Sequence, residues 1–176
     1  MATLEEILQS RDRRSARQSE ILLRLAGDVR RGERHASLIV ATIAIPGSDK
    51  QSPAARIAAD AMENALRHTF SESLLSFCRE EYVSGSEIWL TVSLPPLAAK
   101  EKCTGIEDTH PLGRLFDIDV IVDGPLPLSR TATGKEPRKC LLCDRPARLC
   151  MRAGTHSYDH LINHIDRITK AYADSL

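Results

Sequence analysis

Residues 110–120 read HPLGRLFDIDV, a segment that predicts a β-strand carrying two carboxylates. Because side chains alternate along a strand, Asp117 and Asp119 point to the same face, with their Cα atoms about 6 to 7 Å apart. A hard cation such as Mg²⁺ binds beside such a pair and takes further ligands from water and a substrate phosphate. The pattern therefore indicates metal-assisted phosphate chemistry, although an exposed strand with a solvated acidic face has the same spacing.

The composition bounds the class of protein. The chain has 176 residues, of which 42% are hydrophobic and 27% charged, so we expect one globular catalytic domain over residues 1–176. Lys+Arg and Asp+Glu both number 24, and this balance argues against general nucleic-acid binding. With no visible signal peptide, no apolar run long enough to span a membrane and five cysteines, we expect a cytoplasmic protein with reduced thiols.

Hydrophobic periodicity outlines the remaining elements. It predicts helices over 4–26, 53–80 and 155–173, and strands over 37–45, 87–94 and 114–123, with an antiparallel return over 126–130 and a loop over 131–139. The strand over 37–45 is apolar almost throughout, which indicates a central position with both faces covered. Together these elements predict an α+β fold, in which helices cover a mixed or antiparallel sheet of four or five strands.

Basic residues recur at the centre of the first predicted helix and near the ends of later elements. Arg11 and Arg14 lie on the first helix, Lys50 and Arg56 flank the start of the second, and Arg130 and Arg138 follow the acidic strand. Arginine makes planar, bidentate contacts with phosphate, and a helix N-terminus favours anions. A phosphate-binding role and ordinary surface solvation both fit these positions.

A cysteine-rich segment occupies residues 137–156. Its spacing is Cys-x2-Cys-x6-Cys-x5-His, formed by Cys140, Cys143, Cys150 and His156. Three thiolates and one imidazole make a suitable ligand set for structural zinc. The alternative is that reduced cysteines pack as small apolar residues around a turn.

Several segments, taken in order, carry a resemblance to a known family. They are SRDRRSARQ (10–18), the Pro46–Gly47 turn with Lys50, HPLGRLFDIDV (110–120), LSR (128–130), and PRKCLLC (137–143) with Cys150 and Thr155–His156. This pattern resembles the CitX family, the apo-citrate lyase phosphoribosyl-dephospho-CoA transferases, also described as citrate lyase holo-acyl-carrier-protein synthases. The likeness extends over nearly the whole chain and is weakest over residues 66–105.

The resemblance implies a nucleotidyl-type transfer. The donor would be 2′-(5″-triphosphoribosyl)-3′-dephospho-CoA, the acceptor a serine of the acyl-carrier (γ) subunit of citrate lyase, and the leaving group diphosphate. On this hypothesis Asp117 and Asp119 hold Mg²⁺, and one of them or His110 accepts the serine proton. Arginines would clamp the diphosphate (Arg114, Arg130 and Arg138), and a second group would contact phosphate (Arg11, Arg14, Lys50 and Arg56).

Three questions stay open at this point. The fold could be related to the nucleotidyltransferases, but no Gly-Ser pair lies about ten residues before the acidic pair, and a third acidic ligand is unassigned among Asp108, Asp123 and Asp144. The carrier could instead be that of malonate decarboxylase, which a related transferase serves. From a different class, residues 137–156 could form a non-enzymatic, zinc-stabilised interaction module.

Overall fold

Four antiparallel strands form the sheet on which the site is built. The computed structural model describes residues 3–30, 36–122 and 126–176. The strands are β1 (Ser37–Ile43), β2 (Leu74–Tyr82), β3 (Gly85–Val92) and β4 (Phe116–Ile121), in the spatial order β2-β3-β1-β4. The described residues also form α1 (Leu4–Arg30), α2 (Pro53–Thr69), α3 (Pro96–Thr109), α4 (Ala147–Ala153) and α5 (Tyr158–Ala173). The predicted α+β class with an antiparallel sheet is confirmed.

The sheet has an apolar core on one face and a mixed surface on the other. On the first face α2, α3 and α5 pack over a large cluster that includes Ile39, Ile88, Phe116 and Ile118. On the second face Ile21, Leu22 and Leu25 of α1 cover a small cluster, formed by Leu38, Val40, Trp89 and Ile121. Strand β1 therefore has both faces covered, as its apolar sequence predicted.

The prediction of one long helix over 53–80 was wrong in its second half. Helix α2 ends at Thr69, and residues 74–82 form β2, which pairs with β3 through a turn at Gly85 (φ +107°). Strand β2 lies at an edge of the sheet and shows no regular alternation of buried and exposed residues. Residues 74–82 therefore form a strand because they pair with β3, and no local sequence pattern indicates it.

Several other boundaries also differ from the prediction. Helix α1 runs on to Arg30, β1 ends at Ile43, β3 spans 85–92 and β4 spans 116–121, after a short 3₁₀ turn at Gly113–Leu115. Helices α3 and α4 were not predicted, α5 begins at Tyr158, and a 3₁₀ turn occupies Arg130–Thr133 in the predicted loop. The return over 126–130 reduces to one bridge between Ile121 and Pro127, because the chain turns away to reach that 3₁₀ turn. The predicted strand residue Asp123 lies outside the described residues.

The outer edge of β4 is closed by three side chains and one backbone N–H instead of by another strand. Lys100 Nζ of α3 donates to Ile118 O at 2.9 Å, and Glu107 Oε1 of the same helix accepts from the Ile118 N–H at 3.0 Å. Arg138 Nη2 donates to Phe116 O, and the Leu128 N–H donates to Val120 O at 2.8 Å. An uncovered edge strand would leave these backbone groups unpaired, so the four contacts fix β4 and the carboxylates on it.

We expect Glu107→Leu to destabilise the fold. The substitution leaves the buried Ile118 N–H without its acceptor, which costs about 1–3 kcal/mol in the free energy of unfolding. Urea denaturation measures this loss, and hydrogen exchange at the Ile118 amide should accelerate. Glu101→Leu, at an exposed position on the same helix, is the matched control and should change stability by less than about 0.5 kcal/mol. Equal denaturation midpoints for the two variants would contradict the role of Glu107.

Candidate active site and metal centre

The two aspartates lie on the face of β4 opposite the large core. Phe116, Ile118 and Val120 point into that core, and alternation turns Asp117 and Asp119 toward the α1 face. The Asp117 side chain is 52% exposed, whereas Asp119 is half-buried. Burial, and then the charge of Asp117, raise the pKa of Asp119 to about 6. Two neighbouring carboxylates, one of them shielded from water, form a site that a bound cation would stabilise.

Of the three arginines predicted to clamp diphosphate, Arg138 lies nearest to this pair. Its Nη1 is 3.5 Å from Asp117 Oδ1, while its Nη2 donates to backbone carbonyls of residues 113–116. Arg114 donates instead to Cys140 O, and burial together with the charge of Arg138 lowers its pKa. Arg130 pairs with Asp108, and its Nη1 lies 3.7 Å from Glu107 Oε2.

His110 lies on the opposite side of the sheet from the carboxylates. Its ring packs between Phe116 and Tyr172, at centroid distances of 4.9 and 5.3 Å, and its Nδ1 accepts from the Leu112 N–H at 3.0 Å. Burial lowers the pKa of His110, so the neutral ring is favoured there. The structure does not bring His110 together with Asp117 and Asp119.

The cations predicted on the first two helices are distributed unevenly. Arg14 reaches the sheet and forms an ion pair with Glu87 at 2.7 Å, whereas Arg11 is exposed on α1. Lys50 donates to Ile45 O, and burial lowers its pKa. Arg56 is exposed and its Nε donates to Gln51 O at 3.1 Å. Among these four, Arg14 is the one that contacts the sheet face carrying the aspartates.

Sequence reasoning missed three buried ionisable residues close to the site. Glu87 lies on β3, and Lys100 and Glu107 lie on α3; each is at most 5% exposed. A lone charge inside an apolar strand is a signal for Glu87, because such a charge is costly to bury without a partner. The proposed third ligands are not brought to the pair: Asp108 binds Arg130, the Asp144 side chain is 97% exposed, and Asp123 lies outside the described residues.

The four predicted zinc ligands converge. One ligand atom each from Cys140, Cys143, Cys150 and His156 lies within 4.8 Å of the others, so the group could hold a metal ion. Cys143 Sγ is 3.6 Å from Cys150 Sγ and 3.4 Å from His156 Nε2. A tetrahedral site with Zn–S bonds of about 2.3 Å places its sulfurs about 3.8 Å apart, which matches this arrangement.

Backbone geometry and burial in this segment also fit a metal site. The Cys140 N–H donates to Arg145 O at 2.7 Å and closes a tight turn around Cys143. Helix α4 supplies Cys150 and ends at Gly154, whose left-handed backbone (φ +55°) redirects the chain to His156. Over residues 131–157 the buried side chains are those of Cys140 and Cys150, so the segment has no apolar core of its own.

The fold and the site define a class of protein: an α+β chain with an acidic strand and adjoining arginines, the arrangement expected of a transferase acting on phosphate groups. The family model of CitX, apo-citrate lyase phosphoribosyl-dephospho-CoA transferase, matches residues 2–172. The chain belongs to this family, which is a family of enzymes.

Individual relatives agree with the family match. The chain is 31% identical over 173 residues to a probable apo-citrate lyase phosphoribosyl-dephospho-CoA transferase of Streptococcus pyogenes serotype M18, with 96% of this chain and 86% of the relative covered. It is 32% identical over 170 residues to the apo-citrate lyase phosphoribosyl-dephospho-CoA transferases of Escherichia coli O1:K1 and Shigella boydii serotype 18, with 94% of this chain and 87% of each relative covered. Within the described ranges, no helix has the length and apolarity needed to cross a membrane.

We expect Asp119→Asn to stabilise the protein at neutral pH. The folded pKa of about 6 exceeds the unfolded value of about 3.9, so the carboxyl favours folding below pH 4 and loses that contribution as pH rises through 6. The Asn variant has no such loss, so its free energy of unfolding should exceed that of the parent by about 1–3 kcal/mol at pH 7.5.

Urea denaturation at pH 4.5 and 7.5 measures the difference, in a buffer without Mg²⁺ or other added divalent cations, so that no added cation alters the titration and no chelator removes zinc. Asp166→Asn, at an exposed position on α5, is the control and should show no growing advantage. A difference between Asp119→Asn and the parent that is the same at both pH values would contradict the assignment.

Proposed function

We propose that this protein transfers the 2′-(5″-phosphoribosyl)-3′-dephospho-CoA group from 2′-(5″-triphosphoribosyl)-3′-dephospho-CoA to a serine of the citrate lyase acyl-carrier (γ) subunit. The serine oxygen forms a bond to the α-phosphorus, the bond from that phosphorus to the β-phosphate oxygen breaks, and diphosphate leaves. The observation that carries the proposal is the Asp117–Asp119 pair with Arg138 at 3.5 Å, in a chain that belongs to this transferase family. We further propose a cytoplasmic location, with no nucleic acid among the partners.

The roles proposed for individual residues follow the geometry. Asp117 and Asp119 would hold Mg²⁺, which supplies charge neutralisation on the donor phosphates when bound. Arg138 lies beside the pair and would bind the leaving diphosphate. Arg114 and Arg130, which now contact Cys140 O and Asp108, would contribute further positive charge to the diphosphate. We assign the serine proton to the aspartate pair, because the His110 ring faces the other side of β4.

We also propose that Cys140, Cys143, Cys150 and His156 bind structural zinc. Four protein ligands at tetrahedral spacing leave no open position for substrate, which distinguishes a structural from a catalytic site. The site would hold the segment that carries Arg138, whose carbonyl accepts from the Ala147 N–H at 2.8 Å, and it would fix Cys140 O as the acceptor for Arg114. The zinc-bearing segment is therefore proposed as part of the enzyme and not as a separate interaction module.

The decisive experiment offers the purified protein both apo-carrier subunits, that of citrate lyase and that of malonate decarboxylase, with the triphosphoribosyl donor and Mg²⁺. Intact-protein mass spectrometry should show a mass gain on the citrate lyase carrier equal to the prosthetic group. A gain on the malonate decarboxylase carrier alone would reassign the substrate, and no gain on either carrier would refute the transferase proposal.

In the same assay we expect Asp117→Asn to lower the transfer rate by at least about 10³-fold, since it removes a carboxylate from the proposed cation site. Circular dichroism should show a folded protein, because the side chain is 52% exposed. Asp166→Asn, exposed on α5, is the charge-matched control and should retain activity. Near-normal transfer by Asp117→Asn would show that the metal assignment is wrong.

We expect the protein to contain one zinc ion per chain and Cys143→Ser to lose it. Elemental analysis measures the metal, and thermal unfolding should show a lower Tm for the variant, because the segment lacks an apolar core. Cys78→Ser is the matched control, since Cys78 is a free cysteine on β2 outside the cluster. A Cys143→Ser protein that keeps stoichiometric zinc and its Tm would contradict the site.

A further inference from the structure

Helix α1 lays three arginines against the sheet, and two of them face its outer strand β2. Arg17 forms an ion pair with Glu80 of β2. Arg13 stacks on the ring of Tyr82 of β2, with its guanidinium carbon 3.3 Å from the ring centroid. These two contacts lie far from β4, because β2 is at the opposite edge of the sheet.

The third arginine, Arg14, is held by a buried carboxylate. Its Nε and Nη2 donate to Glu87 Oε1 of β3 at 3.2 and 2.7 Å. Arg13 Nη2 also approaches this oxygen, at 3.4 Å. The Glu87 side chain is 3% exposed, whereas that of Arg14 is 32% exposed. A buried carboxylate is costly unless it is paired, so Glu87 fixes the guanidinium while the Nη1 end of Arg14 keeps donors available to a ligand.

The strand register relates this ion pair to the acidic strand. Thr42 of β1 is the register partner of Glu87 on one side and of Asp117 on the other. The three residues thus lie on one rung and one face of the sheet, with Glu87 and Asp117 about 10 Å apart at their Cα atoms. The side chains of Arg14 and Glu87 extend above this rung, on the face that carries the aspartates.

We infer that Glu87 is a positioning residue for phosphate binding: it holds Arg14 over the rung that ends at Asp117, where the guanidinium contacts the triphosphate of the donor. The inference rests on the proposed function for the identity of the donor. It adds a role for a residue on a different strand from the aspartates and explains why a carboxylate is buried in β3.

The test compares Glu87→Gln with Glu80→Gln in the carrier-modification assay. Loss of the charge that orients Arg14 should raise KM for the donor by about tenfold or more and change kcat much less. Glu80→Gln removes the equivalent partner of Arg17 at the far edge and should leave both constants within about twofold. A purely structural role for Glu87 predicts lower stability in Glu87→Gln and no selective change in its KM for the donor.

A double-variant comparison shows whether Glu87 acts on donor binding through Arg14 or directly. Arg14→Gln should raise KM for the donor to the same extent, and the double variant with Glu87→Gln should be no worse than either single variant. Because Arg14 is partly exposed, its variant stays informative if Glu87→Gln does not fold. An unchanged donor KM in Arg14→Gln, or additive effects in the double variant, would overturn the inference.

A direct measurement of triphosphate binding tests this inference independently of the proposed reaction. Titration of inorganic triphosphate with Mg²⁺, followed by calorimetry, needs neither carrier nor transfer. Weaker binding by Glu87→Gln and Arg14→Gln than by the parent and Glu80→Gln supports the inference even if no carrier is modified. Equal binding by all four proteins overturns it even if transfer is observed.

Discussion

The outer edge of β4 is the constraint on which the site depends. A strand at the edge of a sheet exposes backbone donors and acceptors, and a buried edge must find partners for them. In this protein the partners are Lys100 and Glu107 of α3, Arg138, and the backbone of Leu128. Because charged side chains take the place of a fifth strand, the strand that carries Asp117 and Asp119 is bordered by a line of ionisable groups.

This border also acts on the pKa of Asp119. Burial and the charge of Asp117 raise the pKa of Asp119 to about 6; among the border residues, Lys100 and Arg138 oppose this shift and Glu107 adds to it. The groups that complete the backbone of β4 thus also act on its carboxylates, so the packing of α3 and the chemistry of the site are not independent. Removing Lys100 would both free Ile118 O and raise the cost of ionising Asp119.

The sequence predicts features whose causes are local. Strand β1 is apolar along its length, the acidic pair follows from alternation, and the spacing of three cysteines and a histidine predicts a group of potential metal ligands. The structure has the covered strand, the two aspartates on one face and the four converging side chains. Strand β2 and the contacts of α3 were missed because each depends on a distant partner: β2 on its pairing with β3, and α3 on the position of its polar face at the edge of β4. The orientation of His110 likewise depends on Tyr172 of α5, which no pattern near residue 110 reveals.

The cysteine-rich segment has no core of its own, and specific contacts with the rest of the fold fix its position. From 137 to 156 it buries only Cys140 and Cys150, so it has no apolar core of its own. Its attachment to the rest of the fold includes Leu141, which packs against the large core, Arg138 at the β4 edge, and Arg114, which donates to Cys140 O. Arg138 lies two residues before Cys140, and Arg114 donates to the Cys140 carbonyl, so the position of Cys140 is linked to two arginines at the start of β4. The conformation of the cysteine cluster and the positions of Arg114 and Arg138 are therefore coupled, and an apolar replacement for the cluster would have to preserve both contacts.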